Sequence, residues 1–586
     1  MKTMSMFSKK WKTSERKYEV LVERDVKIRM SDGVELNADI FRPKSDGKFP
    51  AIVSMNPYTT YQAEPIKPVP FGTFREGRDA GTLEAGDPNF YVRRGYAHII
   101  VSIRGTGKSG GTFQFLSPRE IQDVYEVIEW AAQQSWCNGN VGMFGASYFA
   151  WIQLFVAALN PPHLKCIFAP WAATDLYRDL MYHGGIMNIG FSTFPKFVIG
   201  FDCWPFSRQE NWTRKKLGEE GLKKLINEVL QDEDIARQPV LVEILTNPDK
   251  NENQVALDII LHQLYDEYWE ERTVKYENIK VPAYIGACWG TYGWHLPGTF
   301  RSWENLKVPK KMILCPPYYL DRPVYQLAYE SLRWFDYWLK GIDTGIMDEP
   351  PIKIFVMNTG EWKEAYDWPL SETKWTPFFL HENGLLSEHE FWPGEGSTSF
   401  EDSPYRRESV EFYTPKLVDN IEVIGPIVLN IYASTTSTDI FWHANLLEID
   451  PQGNKKVITR GWLRGSQRAI DPERSKPWAP YHPHTKREPL EPGKIYEFNI
   501  PIVPTAILFR AGSRIGLRIS CVDDEPKTFF DYLAGNHIRR QHPARITIYH
   551  NAEYPSHLLL PITKGNIMGT FLSGGEIPPL SPELRR

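Results

Sequence analysis

Ser147 stands in Gly145-Ala146-Ser147-Tyr148-Phe149-Ala150, with an apolar run from Val141 to Phe144 before it and a longer one from Trp151 to Leu159 after it. Strand, sharp turn and helix in that order hold a serine hydroxyl above a sheet edge, at the positive end of the helix. That is the setting of a nucleophile in acyl transfer. The turn brings backbone close to a neighbouring strand, so small residues are needed beside the serine. Gly145 supplies the first. Phe149 occupies the place of the second glycine of G-x-S-x-G, so the bare pattern is not met. A serine hydroxyl also needs a base, and the base an orienting acid. Among the histidines, His295 lies in Trp294-His295-Leu296, and His183 opens Tyr182-His183-Gly184-Gly185. His183 is expected over the site from an inserted segment and is read as structural.

The elements that position the serine follow from the hydrophobic pattern. Residues 18–43 alternate as a hairpin turning at Asp32-Gly33. Apolar strands are predicted at 49–58, 96–105, 138–144 and 164–172, with a helix from Pro118 at 3.6-residue spacing. Strand and helix alternate, so the sheet is mainly parallel. From 176 to 275 the chain reads as charged, aromatic helices. Strands of the first type return at 281–290 and 311–318, and a helix follows at 329–342. Beyond 346 short alternating strands are separated by Gly, Pro and Asp turns. The expected division is a core over 18–175 and 276–345, a helical cap insertion over 176–275, and an all-β jelly roll over 346–586.

Composition excludes several functions. The 586 residues carry 67 basic and 72 acidic side chains, a net charge of −5. No global basic field attracts nucleic acid. No apolar run reaches the roughly 18 residues of a membrane span. The basic start lacks the apolar stretch of a signal peptide, so a cytoplasmic protein is expected. Six cysteines are scattered without a CxxC pair, so neither a disulfide framework nor a zinc module is expected. Gly105-Thr106-Gly107-Lys108-Ser109 follows a strand, but Ser102 stands where a phosphate loop has its first glycine, and no helix opens after Ser109. His482-Pro483-His484 lacks a third ligand nearby. No cofactor and no metal are expected.

The stretch from Asn138 to Ala150 resembles the nucleophile elbow of the α/β-hydrolases related to X-Pro dipeptidyl-peptidase and cocaine esterase, which tolerate a bulky residue two places after the serine. Asn56-Pro57-Tyr58 resembles the N-P-Y turn of that family. Arg104 to Gly111 resembles its R-G-x-G-x-S-x-G segment, and Arg333 to Gly341 its R-x-F-D-x-x-L-K-G helix. Gly461-Trp462-Leu463-Arg464 and Glu553-Tyr554-Pro555-Ser556 extend the likeness into the C-terminal half. The resemblance implies an α/β-hydrolase core with a helical cap and a jelly roll, and hydrolysis of an ester or amide through a Ser147 acyl-enzyme. It implies an oxyanion hole formed by the backbone N–H of Tyr148 and the hydroxyl of Tyr58.

The resemblance also places an acid at Thr291 and a base in the loop 313–323. That loop holds no histidine, and none occurs between His295 and His381. One reading is a rebuilt triad, with His295 and Asp321 serving Ser147; the alternative for His295 is packing among Trp289, Trp294 and Pro297. A second reading is a non-hydrolytic enzyme of lyase, isomerase or cyclase type, with Tyr58, Tyr148, Tyr292, Tyr318 and Tyr319 polarising a carbonyl. A third is a non-catalytic binding protein. The partner expected is a small-molecule substrate, mostly apolar or aromatic, with no nucleic acid and no membrane; homo-oligomer formation is left open.

Overall fold

The computed structural model describes residues 12–57, 84–193, 208–317, 322–389, 391, 394–526 and 529–565. The expected hairpin forms from β1 (Val20–Arg29) and β2 (Glu35–Pro43), antiparallel and turning at Gly33, whose φ is +86°. Four strands follow: β3 (Phe49–Asn56), β4 (Ala97–Ser102), β5 (Cys137–Phe144) and β6 (Leu164–Pro170). Every residue of β3 and β4 is buried, as continuous apolar strands require when helices cover both faces.

Helix α1 (Pro118–Ala132) begins at Ser117, whose side chain accepts the Glu120 N–H, with Pro118 in the first turn. Both features are start signals for helices. Its buried residues Ile121, Val124, Val127, Ile128 and Ala131 line one face. Helix α2 (Tyr148–Ala157) is buried all round, which suits a helix that is apolar on every side.

Between β6 and the next core strand lies a helical insertion. It opens with a π-turn, Tyr177–Met181, and a short hairpin of β7 (Tyr182–His183) and β8 (Ile186–Met187). Helices α3 (Trp212–Val229) and α4 (Gln254–Leu261) follow. The core resumes with β9 (Ala283–Cys288), α5 (Leu296–Asn305), β10 (Lys310–Cys315) and α6 (Arg322–Lys340).

The core sheet has the order β1-β2-β4-β3-β5-β6-β9-β10. It is parallel from β4 to β10. Two further strands, β11 (Ile352–Val356) and β12 (Glu361–Ala365), extend its far edge. The core sheet therefore runs past 345, where the sequence pattern had suggested a division. The remaining strands form an 11-stranded antiparallel sheet, the jelly roll.

The jelly roll docks on the core and the insertion. Helix α7 (Phe529–Ala534) presses its backbone onto two glycines. A Cβ on Gly190 would lie 2.0 Å from the Tyr532 carbonyl oxygen, and one on Gly293 would lie 2.2 Å from that of Ala534. Asn188 Nδ2 donates to the Leu533 carbonyl at 2.7 Å. The loop after β9 is thus roofed by the second domain.

Candidate active site

Ser147 sits at the carboxyl end of β5, in the middle of the parallel sheet, with φ 58° and ψ −127°. A non-glycine residue with positive φ at that ψ is strained, and such strain clusters at functional positions. Its side chain does not cap α2. Among the described residues, no hydrogen bond to its hydroxyl is formed, and the residue keeps 6% of its surface exposed. Gly145 is required here: its φ is +142°, and a Cβ would lie 2.3 Å from that of Phe149. The bulky residue two places after the serine is thus folded back over the glycine before it.

Two side chains unnoticed in the sequence hold the elbow. Gln153, fully buried, donates to the carbonyls of Gly145 (3.2 Å) and Phe149 (2.9 Å) and accepts the Phe168 N–H at 3.1 Å. It ties the turn to β6. Glu120, fully buried, accepts the Tyr148 hydroxyl at 2.7 Å and the Leu116 N–H at 3.1 Å. Burial pushes its carboxyl up to about 7, against those two donors. The only signal for Glu120 was the Ser117-x-x-Glu120 capping pattern. Because the Tyr148 hydroxyl is committed to Glu120, it does not join a carbonyl-polarising cluster. The Tyr148 N–H lies in the first turn of α2, where helix donors lack partners within the helix. Tyr58, its expected companion in the oxyanion hole, lies outside the described residues, as do Tyr318 and Tyr319.

The acid position, Thr291, is fully buried and donates its hydroxyl to the Cys288 carbonyl at 2.8 Å. It closes its own turn. His295, also fully buried, precedes α5 and is stacked on Trp294 with ring centroids 4.9 Å apart. Its Nδ1 accepts the Trp151 indole N–H at 3.4 Å, which puts the proton of the neutral ring on Nε2. Burial lowers His295 to about 3. Trp151 is one turn along α2 from Ser147, so His295 packs against the flank of that helix. Asp321 lies outside the described residues. His183 is buried in the junction with the jelly roll, its Nδ1 2.8 Å from His537 Nε2.

The other motif residues hold the frame. Arg104 pairs with Asp123 (2.7 Å) and Asp32 (3.0 Å). Ser109 donates to the Ser102 carbonyl, and Lys108 is exposed and paired with Asp25; Gly105 to Ser109 is a structural turn. Arg333 joins Glu349 and Glu330, and Asp336 accepts the Tyr96 hydroxyl at 2.6 Å. His482 is buried with Nδ1 3.0 Å from the Ala469 carbonyl oxygen and Nε2 2.9 Å from that of Asn499.

Comparison with known proteins agrees with this geometry. Residues 32–318 match the model of the X-Pro dipeptidyl-peptidase (S15 family), and residues 344–559 that of the X-Pro dipeptidyl-peptidase C-terminal non-catalytic domain. The cocaine esterase of Rhodococcus sp. (strain MB1 Bresler) is 25% identical over 93% of this chain and 99% of its own length. A putative Xaa-Pro dipeptidyl-peptidase of Bacillus cereus is 25% identical over 90% of this chain and 86% of its own. A CocE/NonD family hydrolase from Staphylococcus aureus superposes with a TM-score of 0.77 at 28% identity, covering 93% of this chain and 94% of that one. A serine on a strained turn between β5 and α2, the strand order of the sheet, and matches to both family models across most of its length make this chain a hydrolase belonging to the X-Pro dipeptidyl-peptidase (S15) family.

Proposed function

We propose that the protein hydrolyses an ester or amide of a small, mostly apolar or aromatic acyl group through a Ser147 acyl-enzyme. The observation that carries this is the Ser147 backbone, held at positive φ with its hydroxyl free of any described partner. A strained, uncommitted serine at the head of a buried helix is what nucleophilic attack needs. The Tyr148 N–H and the Tyr58 hydroxyl are the oxyanion donors in this reading. The rings of Phe115 and Trp151, 5.9 Å and 5.3 Å from that of Tyr148, pack with it in the buried core and hold the start of α2. Asp321 belongs to the loop that supplies the base in related hydrolases, and His295 has the geometry of a packing residue. The described cysteines are all buried and free, which supports work in the reducing cytoplasm. Among the described residues no helix is long and apolar enough to cross a membrane.

One observation favours a second reading, a non-hydrolytic enzyme: Thr291 stands at the acid position and closes its own turn, and the Nδ1 of His295 is taken up by the Trp151 indole N–H. Labelling by a fluorophosphonate, read by intact mass with Ser147→Ala as control, separates the two. Labelling that depends on Ser147 supports the acyl-enzyme. Folded protein that stays unlabelled overturns it and favours the second reading.

A further inference from the structure

The insertion, the loop after β9 and the jelly roll meet at a row of buried titratable side chains. His537 Nδ1 is 2.9 Å from Asp523 Oδ2, and the His537 backbone N–H donates to the same oxygen at 2.7 Å. His537 Nε2 is 2.8 Å from His183 Nδ1. His183 Nε2 is 3.1 Å from the Asp179 carbonyl oxygen. His183 and His537 are each 3% exposed. On the other side of the carboxylate, His443 Nδ1 is 3.1 Å from Asp523 Oδ1, and the Trp462 indole N–H is 3.4 Å from it.

The protons in this row can be counted. A carbonyl oxygen only accepts, so His183 Nε2 carries a proton. A carboxylate only accepts, so His537 Nδ1 carries a second. The nitrogen–nitrogen contact needs a third. Two neutral imidazoles supply one each. With only two protons, some pair of lone pairs would face each other in a buried site, at the full cost of an unmade hydrogen bond. We infer that Asp523, His537 and His183 share one buried proton beyond their neutral complement, and that this imidazolium–carboxylate row fastens the cap and the loop after β9 to the jelly roll.

The surrounding charges bear on where that proton rests. Burial opposes the extra proton, driving His183 down to about 3 and lowering His537, while Asp523 raises both and is itself held well below the usual carboxylate range by His537 and His443; the hydrogen bond that two neutral rings would leave unmade is what sets the proton against that opposition. Arg460 and Arg539 face the row as cations, and Asp524 and Asp531 offset Arg460, whose guanidinium also lies 5.4 Å above the Tyr292 ring. Ligand atoms of His443, Asp523 and His537 lie within 4.8 Å of one another. A divalent cation there would meet two N–H donors aimed at Asp523 and the guanidinium of Arg460, which favours the proton. The row reaches the core through Asp179. Its carboxylate accepts the N–H groups of Thr174 and Asp175 and pairs with Arg301 of α5 at 2.6 Å. These are positioning residues, and the inference does not depend on Ser147 being a nucleophile.

The test is ¹⁵N NMR of the full chain labelled at histidine, with signals assigned by their loss in His183→Gln and His537→Gln. At neutral pH one of the two rings is expected to show both nitrogens protonated, unchanged through the range where exposed histidines titrate. Two singly protonated, neutral rings would overturn the inference. So would a stoichiometric divalent metal, found by elemental analysis and lost in His443→Ala. Asp523→Asn removes the counter-charge; it is expected to abolish the doubly protonated signal and to speed hydrogen exchange over residues 186–193 and 290–295 by about tenfold or more. Unchanged exchange there would overturn the fastening role. If these variants fail to fold, the spectrum of the unmodified chain still decides, because the doubly protonated ring is either present or absent.

Discussion

The hydroxyl of Tyr148 donates to Glu120 at 2.7 Å, joining the residue after Ser147 to a carboxyl group fully shielded from water. Burial raises that carboxyl from 4.5 to about 7. The folded chain therefore keeps a proton between those values that the unfolded chain releases. The stability this contributes is full below about pH 4.5 and is lost as pH rises through about 7. Glu120→Gln removes the dependence. Denaturant unfolding should show the variant gaining on the parent by about 2–3 kcal/mol between about pH 5 and pH 8. A constant difference across that range would place the proton elsewhere.

The strained Ser147 backbone predicts a trade between stability and activity. Both Ser147→Ala and Ser147→Gly remove the hydroxyl, and only glycine relieves the positive φ. Ser147→Gly should be the more stable of the two by about 1 kcal/mol, measured by chemical denaturation. Equal stabilities would mean that the turn stores no strain.

At Gly145 the effect runs the other way. An alanine there meets Phe149 and keeps a φ of +142°. Gly145→Ala should cost about 3 kcal/mol or more and abolish labelling of Ser147 even in the fraction that folds. Normal labelling would show that the elbow tolerates a side chain.

For His295, packing and proton transfer predict different losses. His295→Ala leaves a cavity between Trp151 and Trp294 and should cost about 2–4 kcal/mol. The indole N–H of Trp151 keeps the Trp171 carbonyl at 3.2 Å. Labelling per folded molecule should stay within about threefold of the parent. A fall of several orders of magnitude would make His295 the base.

Gln153 bridges both carbonyls flanking the Ser147 turn to β6. Gln153→Leu, similar in volume, leaves the Phe168 N–H without its acceptor and should cost about 1–3 kcal/mol. Rescue by Gln153→Glu is expected to be partial at best, since a carboxylate cannot donate to the Gly145 and Phe149 carbonyls.

Much of this architecture is legible in the sequence because it is written locally. The apolar runs of β3, β4 and β6, the Ser117–Pro118 helix start and the Gly145–Ser147 turn each announce themselves within a few residues. The hairpin of β11 and β12 was missed as part of the core: its alternation looks like that of the jelly roll, and only pairing with β10 assigns it. What binds the site is non-local. Glu120 finds Tyr148 across 28 positions, and His183 finds His537 across 354. No spacing rule reaches that far. His295 looked catalytic by its place after β9, and the ring of Trp151 that occupies its Nδ1 is 144 positions away.

Gly190 and Gly293 meet the jelly roll by what they lack. The carbonyl oxygens of Tyr532 and Ala534 occupy the space in which any other residue would carry its first side-chain atom. A methyl group at either position is a wedge driven between two domains, far in sequence from Ser147 and outside its chemistry. Alanine at either position is accommodated only by moving the jelly-roll backbone off the insertion or off the loop after β9, so the seating of the second domain can be probed at these two positions without touching Ser147.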